Sequence, residues 1–158
     1  MTAPSTTVRQ TPAGTHLEDG HSTKIACSSD PDLAIWEVSI KPSSLDGGDA
    51  IDQTTMWNTV WMTKAFQQLV DAGDVTGSAA YDPKVLDEFL AIVNVNTSWT
   101  IKFSNNDTWD WWGALRIFDP QELVKGSQPR ANFTITPSNR DTAGVEAGIN
   151  YKTSVGTD

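Results

Sequence analysis

The sequence predicts a mostly β protein, an antiparallel β-sandwich or barrel of about seven strands with one flanking α-helix, an arm at each end and a long loop between strands two and three. Three observations carry this reading. Short runs in which apolar and β-branched residues alternate with polar ones recur between residues 21 and 137. A single segment, opening at Asp82-Pro83, combines a helix start signal with apolar residues at helical spacing. Turn formers separate the runs: Asp30-Pro31, Gly47-Gly48 and Asn105-Asn106-Asp107, as hairpin-connected strands require.

The chain of 158 residues is long enough for one domain that buries about 70% of its unfolded surface. Residues 1–20 are rich in Thr, Pro and Gly, lack periodicity and are expected to be an arm without order of its own. Residues 21–137 are the β domain, and the polar stretch 138–158 is expected to be a second arm. One cysteine, Cys27, excludes an internal disulfide, and its expected role is that of a small buried hydrophobe. No apolar run approaches a membrane span and no secretory signal opens the chain, so no membrane partner is expected.

Taken in order, residues 21–28 form a short strand, and residues 33–41 a stronger one with Trp36, Val38 and Ile40 on one face. The turn at Asp30-Pro31 would make these two a hairpin. Residues 42–54 have no regular pattern, and loops of that length are often functional. Residues 56–63 alternate aromatic and β-branched residues with Thr and Asn, and read as an uncharged strand. Residues 65–73 are ambiguous between a helical turn and a loop. Residues 75–81 are a strand whose small residues invite close packing by something bulky such as a helix. Asp82 then caps a helix that Pro83 opens, with Val85, Leu86, Phe89, Leu90 and Val93 as its apolar stripe. Leu86, Phe89, Leu90 and Val93 are the expected core face. Trp99, Ile101 and Phe103 alternate in the next strand, residues 108–118 return, residues 119–128 loop, and residues 130–137 form the last strand with Ala131, Phe133 and Ile135 inward.

Several of these segments carry a resemblance. A Gly-Gly-Asp-x-Ile-Asp-x-Thr-Thr-Met run ending at Met56, the motif Ala80-Tyr81-Asp82-Pro83-Lys84-Val85, the turn Asn94-Val95-Asn96, and the pair Trp112-Gly113-Ala114-Leu115-Arg116 and Glu122-Leu123-Val124-Lys125-Gly126 occur in order over residues 23–139. In order and spacing they resemble the tail tube proteins (major tail proteins) of siphovirus-type, long-tailed bacteriophages. The resemblance implies a non-enzymatic virion subunit that forms hexameric rings. Rings stack around a lumen for DNA passage, in contact with tape measure and tail-end proteins, after assembly in the host cytoplasm. It also implies that the 42–54 loop packs against the adjacent ring. Within it, Leu45 and Ile51 are the natural anchors, Gly47 and Gly48 supply the turn, and Asp46, Asp49 and Asp52 would set register.

Composition narrows the alternatives. A net charge of −9 without a basic cluster excludes a tight nucleic-acid grip, while DNA could pass a lumen of like charge unhindered. Asp46, Asp49 and Asp52 lack the alternating ligand spacing of a calcium loop, and His16 and His21 have no zinc-spaced partner, so neither metal nor cofactor is expected. Neither a nucleophile motif nor a phosphate cradle is present, and catalysis is not expected. The competing reading rests on seven tryptophans, four of them (Trp99, Trp109, Trp111 and Trp112) within fourteen positions. Such a cluster could be the sugar-stacking platform of a monomeric carbohydrate-binding β-sandwich. Trp109 and Trp111 must face one side of their strand and Trp112 the other, so part of the cluster belongs to the core.

Overall fold

The computed structural model describes residues 20–33 and 35–153. The expected N-terminal arm lies outside them apart from Gly20, as do His16 and residues 154–158. The elements in chain order are β1 (Lys24–Cys27), β2 (Ile35–Lys41), β3 (Leu45–Asp46), β4 (Ile51–Asp52), β5 (Lys64–Ala65), β6 (Asp71–Ala72) and β7 (Val75–Tyr81). A 3₁₀ turn (Pro83–Val85) and helix α1 (Leu86–Ile92) follow, then β8 (Thr97–Lys102), β9 (Thr108–Pro120), β10 (Arg130–Pro137) and β11 (Asn150–Lys152). The fold is mostly β with one α-helix among the described residues, as the alternation required.

Seven strands form one antiparallel sheet in the order β1-β8-β9-β10-β7-β2, with β11 added to β9. β1 and β2 are successive in sequence yet lie at opposite ends of this path, so the expected hairpin between them does not form. The sheet curls until these ends meet through a side chain. The Ile25 N–H donates to the Glu37 carboxylate at 2.7 Å. A backbone ladder is replaced there by one charge-assisted bond. The intervening turn is tied down by Thr97, whose buried hydroxyl receives the Ser29 hydroxyl at 2.7 Å and contacts that of Ser28 at 2.9 Å.

Strand faces follow the sequence where ladders are regular. Ala131, Phe133 and Ile135 of β10, Trp99 and Ile101 of β8, and Trp111 and Leu115 of β9 are buried together, with Cys27 and Ile25 of β1. Each such side chain stabilises by about 1.5–3 kcal/mol through loss of hydrated apolar surface. In β2 the face reading fails. The ladder slips between Glu37 and Ser39, so Val38 is an extra residue and the alternation changes phase. Ile35, Glu37 and Ile40 turn inward, while Trp36 and Val38 are exposed. The bulky neighbour of the small-residue strand β7 is not a helix. A Cβ at Gly77 would sit 2.3 Å from the Ser39 carbonyl and 2.6 Å from the Phe133 ring, so strand β2 and the core fill that space.

The helix starts as Asp82-Pro83 dictates, with the Asp82 carboxylate accepting the Lys84 N–H at 3.0 Å. Its core face is narrower than expected. Phe89 and Ile92 are buried and Val93 packs beside them, but Leu86 and Leu90 are exposed. With only seven residues, α1 can press one narrow stripe onto the sheet. The spacing of three between Phe89 and Ile92 selects that stripe and leaves the Leu86–Leu90 ridge outward. Phe89 stacks on Phe118 at 4.2 Å, and Tyr81 meets both rings edge-on. Asn94 ends the helix at φ 60°.

Two boundaries also move. β9 runs on to Pro120, shortening the loop before β10. The described part of the expected C-terminal arm is folded onto the domain: the Ser138 N–H donates to the Trp112 carbonyl at 2.8 Å, and β11 pairs with the start of β9. Tyr151 donates a short hydrogen bond to the buried Asp107, which raises the Tyr151 pKa, chiefly through that bond. Lys152 pairs with Asp110 at 2.7 Å.

Candidate assembly arm

The stretch expected to be a loop, then a strand, then an undecided segment is one excursion that leaves the domain after Pro42 and returns at Gly73. Its root is a clamp. The buried Ser43 hydroxyl donates to the Gly73 carbonyl at 2.6 Å, and the Gly73 N–H donates to the Ser44 carbonyl at 2.8 Å. A Cβ at Gly73 would come within 2.2 Å of the Ser44 hydroxyl, so a larger residue there would have to turn that side chain away.

Beyond the root, two short ladders build a hairpin-like arm. Leu45 and Asp46 of β3 pair with Ala72 and Asp71 of β6, and Ile51 and Asp52 of β4 pair with Ala65 and Lys64 of β5. Between the ladders Gly48 takes φ +73°, its N–H bonded to the Asp46 carboxylate at 2.8 Å, and Gln67 reaches across to the Asp49 carbonyl at 3.1 Å. Asp52 accepts the Thr54 N–H at 2.8 Å, and its bonds to the Thr54 side chain and then its backbone hold its pKa below the usual value.

Residues 56–63, expected to form a strand, are the tip of this arm. Their backbone is held by a turn in which the Asn58 N–H donates to the Thr55 carbonyl at 3.1 Å, by the Gln53 N–H on the Thr63 carbonyl at 2.8 Å, and otherwise by side chains instead of a ladder. Asn58 accepts from the Thr55 N–H at 2.9 Å and donates to the Trp61 carbonyl and the Thr63 hydroxyl, each at 2.8 Å, while the Thr54 hydroxyl accepts the Thr63 N–H at 3.1 Å. This wiring turns the apolar side chains outward. Met56 is fully exposed, Trp57 is 93% exposed, and Val60, Trp61 and Met62 are exposed with them. On the return side Phe66, Leu69 and Val70 are exposed as well.

All seven residues singled out from the sequence, Leu45, Asp46, Gly47, Gly48, Asp49, Ile51 and Asp52, lie exposed on the outgoing side of the arm. Sequence reading missed the tip and the return side. The available signal is the absence of charge from Gln53 to Thr63, which in the sequence reads as an uncharged strand. Of the twenty large hydrophobic residues exposed among the described residues, ten lie between Leu45 and Val70, a concentration that a monomer in water has no reason to carry.

The tryptophan cluster proves to be divided. Trp99 and Trp111 are buried cross-strand neighbours, the Trp99 indole N–H donating to the Gly113 carbonyl at 3.2 Å. Trp109 is half-buried, edge-on to Tyr151, and Trp112 is half-buried on the opposite face. No flat platform of adjacent exposed rings results. Among the described residues no three His, Cys, Asp or Glu side chains are grouped to hold a metal ion.

No protein-family model and no curated protein sequence matches the chain. Solved structures do share its fold. A chain of the virion of a native gene transfer agent particle superposes with a TM-score of 0.59 at 9% identity, covering 87% of this chain and all (100%) of that one. A chain of the six-fold symmetrised baseplate of the anti-feeding prophage superposes with a TM-score of 0.54 at 11% identity, covering 83% of this chain and 91% of that one. At these identities the likeness is one of fold.

Proposed function

We propose that this chain is a non-enzymatic structural subunit of a phage-tail-type particle, the tail tube, in which hexameric rings stack around a lumen through which DNA passes. The observation that carries the reading is the 43–73 arm, whose apolar tip is left uncovered among the described residues. The shared fold with chains of a virion and of a six-fold baseplate supports it, as do the ordered sequence motifs over residues 23–139. In this reading the arm crosses to a neighbouring ring, and the exposed Leu86–Leu90 ridge faces an adjacent subunit or solvent outside the tube. Tape measure and tail-end proteins are its further partners, and the virion tail its final location, after assembly in the host cytoplasm.

Sedimentation and negative-stain imaging against concentration test it. Rings and tubes are expected to grow as concentration rises, with sixfold end views. A chain that stays monomeric at high concentration in the presence of seeds overturns the proposal. Duplex DNA is expected to bind weakly at physiological salt, since −9 per copy and scattered cations cannot displace phosphate counterions. Submicromolar affinity in a filter or anisotropy assay counts against a passive lumen.

A further inference from the structure

The barrel is not closed along its whole seam. β1 and β2 are bridged at Ile25–Glu37, but towards Gly20 the chain diverges from β2. The gap is a groove of about 850 Å³, walled by Val38, Ile40 and Pro42 on one side and by Phe103, Trp109 and Tyr151 on the other. Inside it β2 presents its second edge, since among the described residues its ladder runs only to β7. The Trp109 indole N–H is buried with no hydrogen-bond acceptor among the described residues. The groove is thus part apolar, part edge strand, with an indole N–H left to be satisfied.

We propose that this seam receives the arm tip of a second copy of the same chain, so that Met56, Trp57 and Trp61 of one subunit pack against Val38, Ile40 and Trp109 of the next. This deepens the assembly reading above and rests on it. Charge selects the occupant. Copies that each carry −9 repel wherever their charged surfaces meet. The tip from Gln53 to Thr63 has no charged residue, and of the fourteen residues lining the groove only Glu37 has a formal charge, already bonded to Ile25. These two surfaces can approach without a Coulomb penalty. The tip does not fill the seam of its own chain: its side chains are exposed and none of them lines the groove. Twelve residues of extended chain from Leu45 to Trp57 span up to about 40 Å, enough to reach a neighbouring copy. A tip-to-seam contact joins two different surfaces, so every copy has both a tip to give and a seam to fill, and the contact can repeat from copy to copy as rings and filaments do.

Disulfide trapping between separately tagged variants tests the contact. Trp57→Cys is mixed with Val38→Cys, or with Leu90→Cys or Ile117→Cys as exposed apolar controls, while Cys27 stays buried and silent. Cross-links between W57C and V38C, confined to the assembled fraction and absent with both controls, are expected. Val38→Glu, checked for folding by circular dichroism, is expected to raise the concentration needed for assembly at least about tenfold, as is Trp57→Glu. The double variant should be little worse than either, because one contact is lost twice. If W57C links to L90C or I117C while tubes still form, the seam is the wrong site and the assembly reading stands. If V38C links preferentially to Thr7→Cys, residues 1–19 fill the seam and the proposal is overturned. If the wild-type chain does not assemble at all, the assembly reading fails and this contact with it.

Discussion

Strand β10 and the arm tip carry similar side chains to opposite ends. In β10, Phe133 and Ile135 alternate with Thr and Asn, and both are almost completely buried. In the tip, Trp57 and Trp61 also stand in an uncharged run with Asn58, Thr59 and Thr63, although Val60 and Met62 flank Trp61, and both are almost completely exposed. The difference lies above all in the neighbours. β10 lies between β9 and β7, which satisfy its backbone and present a second apolar face. The tip has a turn, one backbone bond at its base and its own polar side chains, and among the described residues no sheet faces it. An uncharged apolar run therefore states that a surface is to be covered, without stating whether the cover comes from the same chain or another.

The largest expected effect separates these two roles outright. Replacing residues 45–72 by a few glycines and serines should abolish tube growth in negative-stain images yet leave the circular dichroism and melting temperature nearly unchanged, because loop-closure entropy depends weakly on length. Loss of folding would mean that the arm belongs to the core after all. Within the domain, Phe89→Ala should destabilise by about 3–5 kcal/mol through a cavity under Phe118 and Tyr81, whereas Leu90→Ala, one position on, should cost less than about 1 kcal/mol. Equal effects in urea unfolding would show that the helix sits differently on the sheet. The joint between the regions gives a middle value. Ser43→Ala leaves the Gly73 carbonyl short of one buried donor and should cost about 1–3 kcal/mol by the same measurement.

The smallest effect concerns β11. Tyr151 in its protonated form donates to Asp107, so its pKa is raised in the folded chain above the ordinary 10.0. The sign follows: its contribution is complete below pH 10.0 and is lost as pH rises through the raised folded value. Tyr151→Phe should remove that alkaline dependence from the unfolding profile while keeping the fold at neutral pH by circular dichroism. An unchanged profile would mean that the latch contributes nothing.

Much of the domain was legible because its signals are local. Asp82-Pro83 is a helix start wherever it is solvated, Asn105-Asn106-Asp107 turns where it stands, and the alternation of residues 130–137 matches β10 residue for residue. The misreadings share one cause, dependence on partners distant in sequence. The bulge at Val38 is set by β7, and the pairing of β11 is set by β9 some forty residues away. Leu86 and Leu90 passed for core because a helical stripe does not reveal how wide a surface awaits it. As for the candidate site, the outgoing half of the arm could be found from its glycines and aspartates, whereas its tip was mistaken for a strand because Asn58 and Thr54 give no periodic sign that they will bond the backbone.

By itself the sequence determined the fold class, the capped helix, the turns and the place of a long loop after residue 42, since propensity, capping and charge act over a few residues. Tertiary structure alone decided that the sheet closes through Glu37 and Ile25, that a seam stays open beside Trp109, and that residues 56–63 stand away from the domain. Those outcomes depend on which surfaces the folded chain brings together, a long-range competition for backbone partners and apolar contact that no local window contains.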